Sequence, residues 1–230
     1  MLARIAEHVG PDCFTILEEP DTMQRETGLA VNNVEVILRL VNRGATAVKS
    51  VSPATRIGAG FGVWHADART LAERLTRDTP IDVLNLHIYP IGGDQIGRLA
   101  EFADLARKHC KGAVIGEAWL FKIAPGERQR LAPGEVDAVV YGRDVFDFWA
   151  PLDIEFASVI MTLSQRHGIE YASFFWSTYL FAYVPWTPQL ERAAPAQRFQ
   201  VVNEAANAAI RNGTLSVTGE AFRRIAAGLR

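Results

Sequence analysis

The sequence predicts an α/β protein in which parallel strands alternate with helices. Three observations carry this. Short apolar runs recur at 13–17, 56–61, 83–89, 113–119 and 171–176. Longer amphipathic segments lie between or after them, at about 31–50, 66–77, 97–109, 154–167 and 196–212, the alternation that builds βαβ units. The connections are also uneven. Those entering strands are short (Ser52-Pro53-Ala54, Thr79-Pro80, Lys111-Gly112), and the longest loop, 120–153, follows a strand and carries turn signals at Pro125-Gly126 and Pro133-Gly134. Right-handed crossovers put all strand C-termini on one side, where α/β proteins place their sites.

The elements follow in order. Met1 to His8 reads as an amphipathic helix, with Arg4 and Glu7 where a secretory leader would be apolar. Cys13 and Cys110 each adjoin an apolar run and are expected as buried thiols, with no disulfide framework. Residues 171–190 hold no charge but contain two prolines, two serines and two threonines, so a buried strand and an aromatic loop are expected there and not a membrane span. A last helix is expected over 218–229, with Thr218 as N-cap. No repeat, low-complexity tract or composition break divides the chain, and 230 residues suit a single domain over 1–230. The composition, 49% hydrophobic and 22% charged with a net charge of −2, excludes a disordered or disulfide-dense protein. It gives no electrostatic reason for nucleic acid or a membrane as partner. With no leader and no span, a cytoplasmic protein is expected.

Strand parity locates the polar groups. In Val83-Leu84-Asn85-Leu86-His87-Ile88-Tyr89, one face holds Leu84, Leu86 and Ile88, and the other Val83, Asn85, His87 and Tyr89. The second face becomes more polar toward the C-terminal end, as in a barrel interior. Glu117 ends the run Ala113-Val114-Ile115-Gly116-Glu117 and shares parity with Ala113 and Ile115. A carboxylate in an apolar run is rare without a partner or a task. Glu18 and Glu19 end the first apolar run, before Pro20-Asp21, with Glu19 in phase with Thr15 and Leu17. The plainer alternative there is a strand followed by an acidic helix N-terminus. In a closed barrel, Glu19 and Glu117 would meet across the mouth at about 5–5.5 Å, the spacing of retaining glycosidases.

These residues resemble clan A glycoside hydrolases, retaining (β/α)8 barrels that act on β-linked sugars. Leu17-Glu18-Glu19-Pro20-Asp21 resembles the motif ending their strand 4, Leu86-His87-Ile88-Tyr89-Pro90 that of strand 6, Ile115-Gly116-Glu117-Ala118-Trp119 that of strand 7, and Phe174-Phe175-Trp176-Ser177 that of strand 8. The resemblance implies a TIM-type barrel represented by strands 4 to 8. It implies Glu117 as nucleophile, Glu19 as general acid/base with a pKa raised by burial beside Glu117, and Tyr89 orienting Glu117. Glu18 and His87 would line the sugar site, and Trp176 and Trp119 would stack on sugar faces. No cofactor or metal is implied. Two departures stand out: Glu18 replaces the family's Asn, and nothing resembles strands 1 to 3. A missing N-terminal barrel segment or another chain is then the expected partner, beside the carbohydrate.

Other readings stay open. A metal-dependent barrel enzyme could use His87, Glu19, Glu117 and Asp21, although no His-x-His or His-Glu-x-x-His occurs among the five histidines. A degenerate, non-catalytic carbohydrate-binding barrel would fit Glu18 and the absent strands. An open doubly wound sheet would tolerate five strands, but no Gly-x-Gly-x-x-Gly turn follows any of them.

Overall fold

Helices and strands alternate strictly over residues 34–118 of the computed structural model, which describes residues 1–90, 94–124, 126–130 and 135–228. The elements are α1 (Leu2–Val9), β1 (Cys13–Thr15), α2 (Pro20–Thr27), α3 (Val34–Lys49), β2 (Arg56–Gly62), α4 (Ala68–Asp78), β3 (Val83–Ile88), α5 (Gln95–Lys108), β4 (Gly112–Ala118), α6 (Glu127–Arg130), α7 (Glu135–Asp144), α8 (Ala150–His167), β5 (Ala172–Phe174), α9 (Pro188–Arg192), α10 (Pro195–Asn212) and α11 (Val217–Gly228). Pro125, Pro133-Gly134 and Leu229 from the sequence reading lie outside the described residues. No helix among the described residues is long and apolar enough to cross a membrane.

The chain forms two compact units, Met1–Ala118 with Leu163–Ser173, and Trp119–Thr162 with Phe174–Arg230. Two of the boundaries fall inside α8 and β5, so no linker composition marks them.

The first unit contains the sheet. Its strands run in the order β1-β2-β3-β4-β5, and β1–β2, β2–β3 and β3–β4 pair in parallel. The strand face toward the helices is apolar throughout: Ile57, Ala59, Phe61, Leu84, Leu86, Ile88, Ala113 and Ile115 are all buried. Leu71 and Leu75 of α4 and Leu99 and Phe102 of α5 cover it, with Phe61 and Phe102 edge to face at 5.7 Å. Each of the buried Leu, Ile and Phe side chains stabilises the unit by about 1.5–3 kcal/mol.

The opposite face of β2 is made of glycine. Gly58, Gly60 and Gly62 alternate with the apolar set and pair with Val83, Asn85 and His87 of β3. Without side chains there, the sheet curls, and groups from β1 and β3 can meet over β2. A methyl at position 60 would fall on the Asn85 carbonyl oxygen of the adjacent strand. Gly60→Ala is therefore expected to cost about 3 kcal/mol, measured as a shift of the urea midpoint at constant m. An unchanged midpoint would show that β2 and β3 do not approach this closely.

Three expectations need correction. Cys13 and Cys110 are exposed, because Cys13 opens onto the glycine-side face of an edge strand and Cys110 sits past the α5 C-terminus at φ 57°. The loop expected over 120–153 contains α6 and α7, and α8 begins at Ala150. Pro151 sits in the first turn of α8, where its missing N–H costs nothing.

In the second unit, Phe156, Phe174 and Phe222 pack edge to face. Tyr179 stacks on Tyr183 at 5.1 Å. Beside them is a buried polar cluster. Lys122 Nζ lies 2.5 Å from Asp153 and 3.3 Å from Asp144, and 4.5 Å from the centre of the Trp119 ring. The Trp119 indole donates to Asp144 at 3.0 Å, and the Tyr183 hydroxyl donates to Asp153 at 2.8 Å.

Candidate active site

The chain after β1 sets the site. β1 ends at Thr15 and bends at Ile16 and Glu18, so strict alternation stops there. Pro20 then starts α2 at its first position, with Glu19 as the extended residue before it. The acidic strand end and the helix N-terminus that seemed to be alternatives are thus both present. Glu19 does not cap the helix with its side chain. It turns to His87 instead, whose Nδ1 lies 2.8 Å from Glu19 Oε1.

Glu117 reaches the same place by a different device. The pairing passes from Leu86↔Ile115 to His87↔Glu117, leaving Gly116 as the extra residue of a β-bulge. The bulge reverses parity. Ala113 and Ile115 face the helices, while Glu117 turns onto the face of Asn85 and His87, so the parity reading placed it with the wrong neighbours. The Tyr89 hydroxyl donates to Glu117 Oε2 at 2.7 Å, and His87 Nδ1 is 3.5 Å from the same oxygen. One nitrogen close to both carboxylates limits the separation of these two oxygens to about 6 Å.

Glu18 is exposed and accepts a hydrogen bond from Asn85 Nδ2 at 3.3 Å. Glu18, His87 and Glu117 each offer a ligand atom within 4.8 Å of the others, a set that could hold a divalent ion. One residue missed by the sequence reading, Trp64, completes this region. Trp64 donates its indole N–H to Asp21 at 3.0 Å and meets Tyr89 edge to face at 5.4 Å. Its six-membered ring occupies the space above Gly62. The bare glycine face of β2 was the signal for a large side chain folding back from the following turn.

Charge in the site runs through His87, which is 1% exposed. Burial alone would lower its pKa. The hydrogen bond to Glu19 and the charges of Glu117, Glu19 and Glu18 more than offset this and raise it. Burial would likewise raise Glu19, but bonds from His87 and Thr22 and the charges of His87 and Arg25 hold its carboxyl below the usual range. Glu117 is pushed up by burial, assisted by Glu19 and Glu18 and opposed by Tyr89 and His87. The expectation that burial beside Glu117 would raise Glu19 is therefore reversed: the imidazole between them sides with Glu19. Replacing His87 with Gln removes that cation, and the Glu19 titration is expected to move upward, followed by carbon NMR of the labelled side chain. An unmoved Glu19 would show that His87 does not set its charge.

The structure thus brings together Glu18, Glu19, His87, Tyr89 and Glu117 within the first unit. The other two candidates belong to the second unit. Trp119 is 2% exposed, with its edge on Asp144 and a face toward Lys122. Trp176 is half-buried and stacks on Phe199 at 5.6 Å. No protein-family model matches this chain, and no curated protein matches it.

Proposed function

We propose that the protein hydrolyses a β-glycosidic bond with retention, using Glu19 and Glu117. The observation that carries this is the close approach of two carboxylates from separate strand ends over one sheet face, each held by its own partner. The two oxygens that flank His87 are no more than about 6 Å apart, short of the ~6.5–9.5 Å of inverting enzymes. In the first step a Glu117 oxygen bonds to the anomeric carbon as the bond from that carbon to the leaving oxygen breaks. Glu19 gives its proton to that oxygen. Water then attacks the anomeric carbon, loses a proton to Glu19 and releases Glu117. Tyr89 holds one Glu117 oxygen and leaves the other for attack. We read the five strands as strands 4 to 8 of a (β/α)8 barrel, with the free edge of β1 open to a further segment or another chain.

The pKa directions favour a second assignment, with Glu117 as the acid and Glu19 as the nucleophile. In the free protein, the carboxyl held low is Glu19 and the one pushed up is Glu117. The first assignment requires the His87 proton to pass to Glu19 when a sugar displaces water from the pair. Both assignments retain configuration. A panel of β-linked oligosaccharides, followed by proton NMR during hydrolysis, is expected to yield the β-anomer first. Initial release of the α-anomer would exclude a double displacement, and binding without cleavage across the panel would leave a non-catalytic carbohydrate-binding protein.

A further inference from the structure

Beside the two carboxylates is a depression of about 410 Å³ on the glycine-side face of the sheet, whose lining includes Glu18, Asn85, Val114 and Gly116. Two features define what it can hold. First, its charge is unbalanced. Glu18, Glu19 and Glu117 converge on a single imidazole. Arg56, the cation in its lining, is already held by two bonds to Glu170, at 2.6 and 2.9 Å. Arg25, the other cation that Glu19 feels, pairs with Glu26 at the surface. Second, Asn85 is 2% exposed, and its Oδ1 has no partner among the described residues. Its Nδ2 is committed to Glu18. The depression therefore presents a carboxylate and a buried amide whose open capacity is for accepting hydrogen bonds, and an unmet buried acceptor is costly. The ligand that satisfies both is a cation rich in N–H donors.

We propose that this depression binds the protonated amine of the substrate, and that the substrate is a β-linked amino sugar. The proposal rests on the glycosidase reading above and names the substrate class of the same site. Glu18 and Glu117 come within 4.8 Å of one another, so an ammonium on Glu18 belongs to the same sugar ring as the anomeric carbon that meets Glu117. An amine at C2, the carbon next to the anomeric one, fits that spacing. Glu18 gives the ammonium a charge-assisted acceptor, worth about tenfold or more in affinity over a hydroxyl at the same place.

The test uses the full chain carrying Glu117→Gln, titrated by calorimetry with a fully deacetylated β-1,4-linked glucosamine tetramer and with its neutral glucose counterpart. The expected result is at least about tenfold tighter binding of the amine form. Adding Glu18→Gln is expected to bring that ratio close to one. Equal binding of the two tetramers, or a preference for the neutral one, overturns the proposal. If the unsubstituted chain also cleaves the neutral tetramer, the glycosidase reading survives that failure; if it binds and cleaves neither, both fall. A parallel titration with Zn2+ separates the sources of positive charge. Zinc binding that Glu18→Gln abolishes, with no preference for the amine, assigns the depression to a metal ion and overturns the amino-sugar assignment.

Discussion

Replacing Glu117 with Ala is expected to lower kcat/KM on any β-glycoside the native protein cleaves by at least about 10³-fold, with the fold intact. This corresponds to about 4 kcal/mol of lost transition-state stabilisation. The fold should survive because Glu117 sits at the end of β4 on the open face, half-buried, and its strongest bond is to the Tyr89 hydroxyl. Burial already works against its ionised form. Removing it therefore takes away an unfavourable charge as pH rises, and the thermal midpoint at pH 8 should be unchanged or higher. Azide supplies the decisive readout. It fills the space left by a missing nucleophile, attacks the anomeric carbon from the same side and yields the α-glycosyl azide. Rescue that yields the β-azide assigns Glu117 as the acid/base, the arrangement the free-site pKa directions favour. Activity within tenfold of the native protein would remove Glu117 from the chemistry.

The second large effect is expected within the second unit. Lys122→Met should destabilise the second unit by about 3–5 kcal/mol, because it leaves Asp144 and Asp153 buried without their shared cation. The loss should depend on pH in a definite direction. Burial, with the nearby charge of Asp153, lifts the Asp144 pKa to about 6, against the opposing effects of Lys122 and Trp119. Asp153 is also raised, by burial first. A carboxyl whose pKa is higher folded than unfolded stabilises the fold when protonated. That contribution is complete below its unfolded pKa of about 4 and is lost as pH rises through about 6. These groups therefore make the native chain less stable as pH climbs from about 4 to 7, and Lys122→Met steepens the trend. Urea unfolding at pH 5 and pH 8, with hydrogen exchange of the α8 amides, measures both. Adding Asp144→Asn and Asp153→Asn should restore part of the loss and flatten the pH dependence. A Lys122→Met chain within 1 kcal/mol of native at both pH values would show that the cluster is not dry.

The strand and helix alternation was legible because each strand is a short apolar run and the helices between strands carry an apolar face. All five strands and the main helices lie where those patterns place them, and the polar end of β3 brings His87 and Tyr89 beside the two carboxylates. Glu19 and Glu117 were recognisable as carboxylates at strand ends, where an unpartnered charge in an apolar run calls for an explanation. Their geometry was less accessible. Parity holds only along a regular strand, and both carboxylates lie just past an irregularity: the bends at Ile16 and Glu18, and the bulge at Gly116. Trp64 escaped notice because its place depends on the absence of side chains on β2, a property of the neighbouring strand.

The amino-acid sequence alone therefore determined the order of the elements, the apolar sheet face and the chemical types at the strand tips, because these depend on local periodicity. Tertiary structure decided which groups share a proton, which carboxyl is held low, and where two indoles belong. Those outcomes depend on distances of a few ångströms between residues up to 98 positions apart, distances set by a bulge, a bend and three glycines acting together.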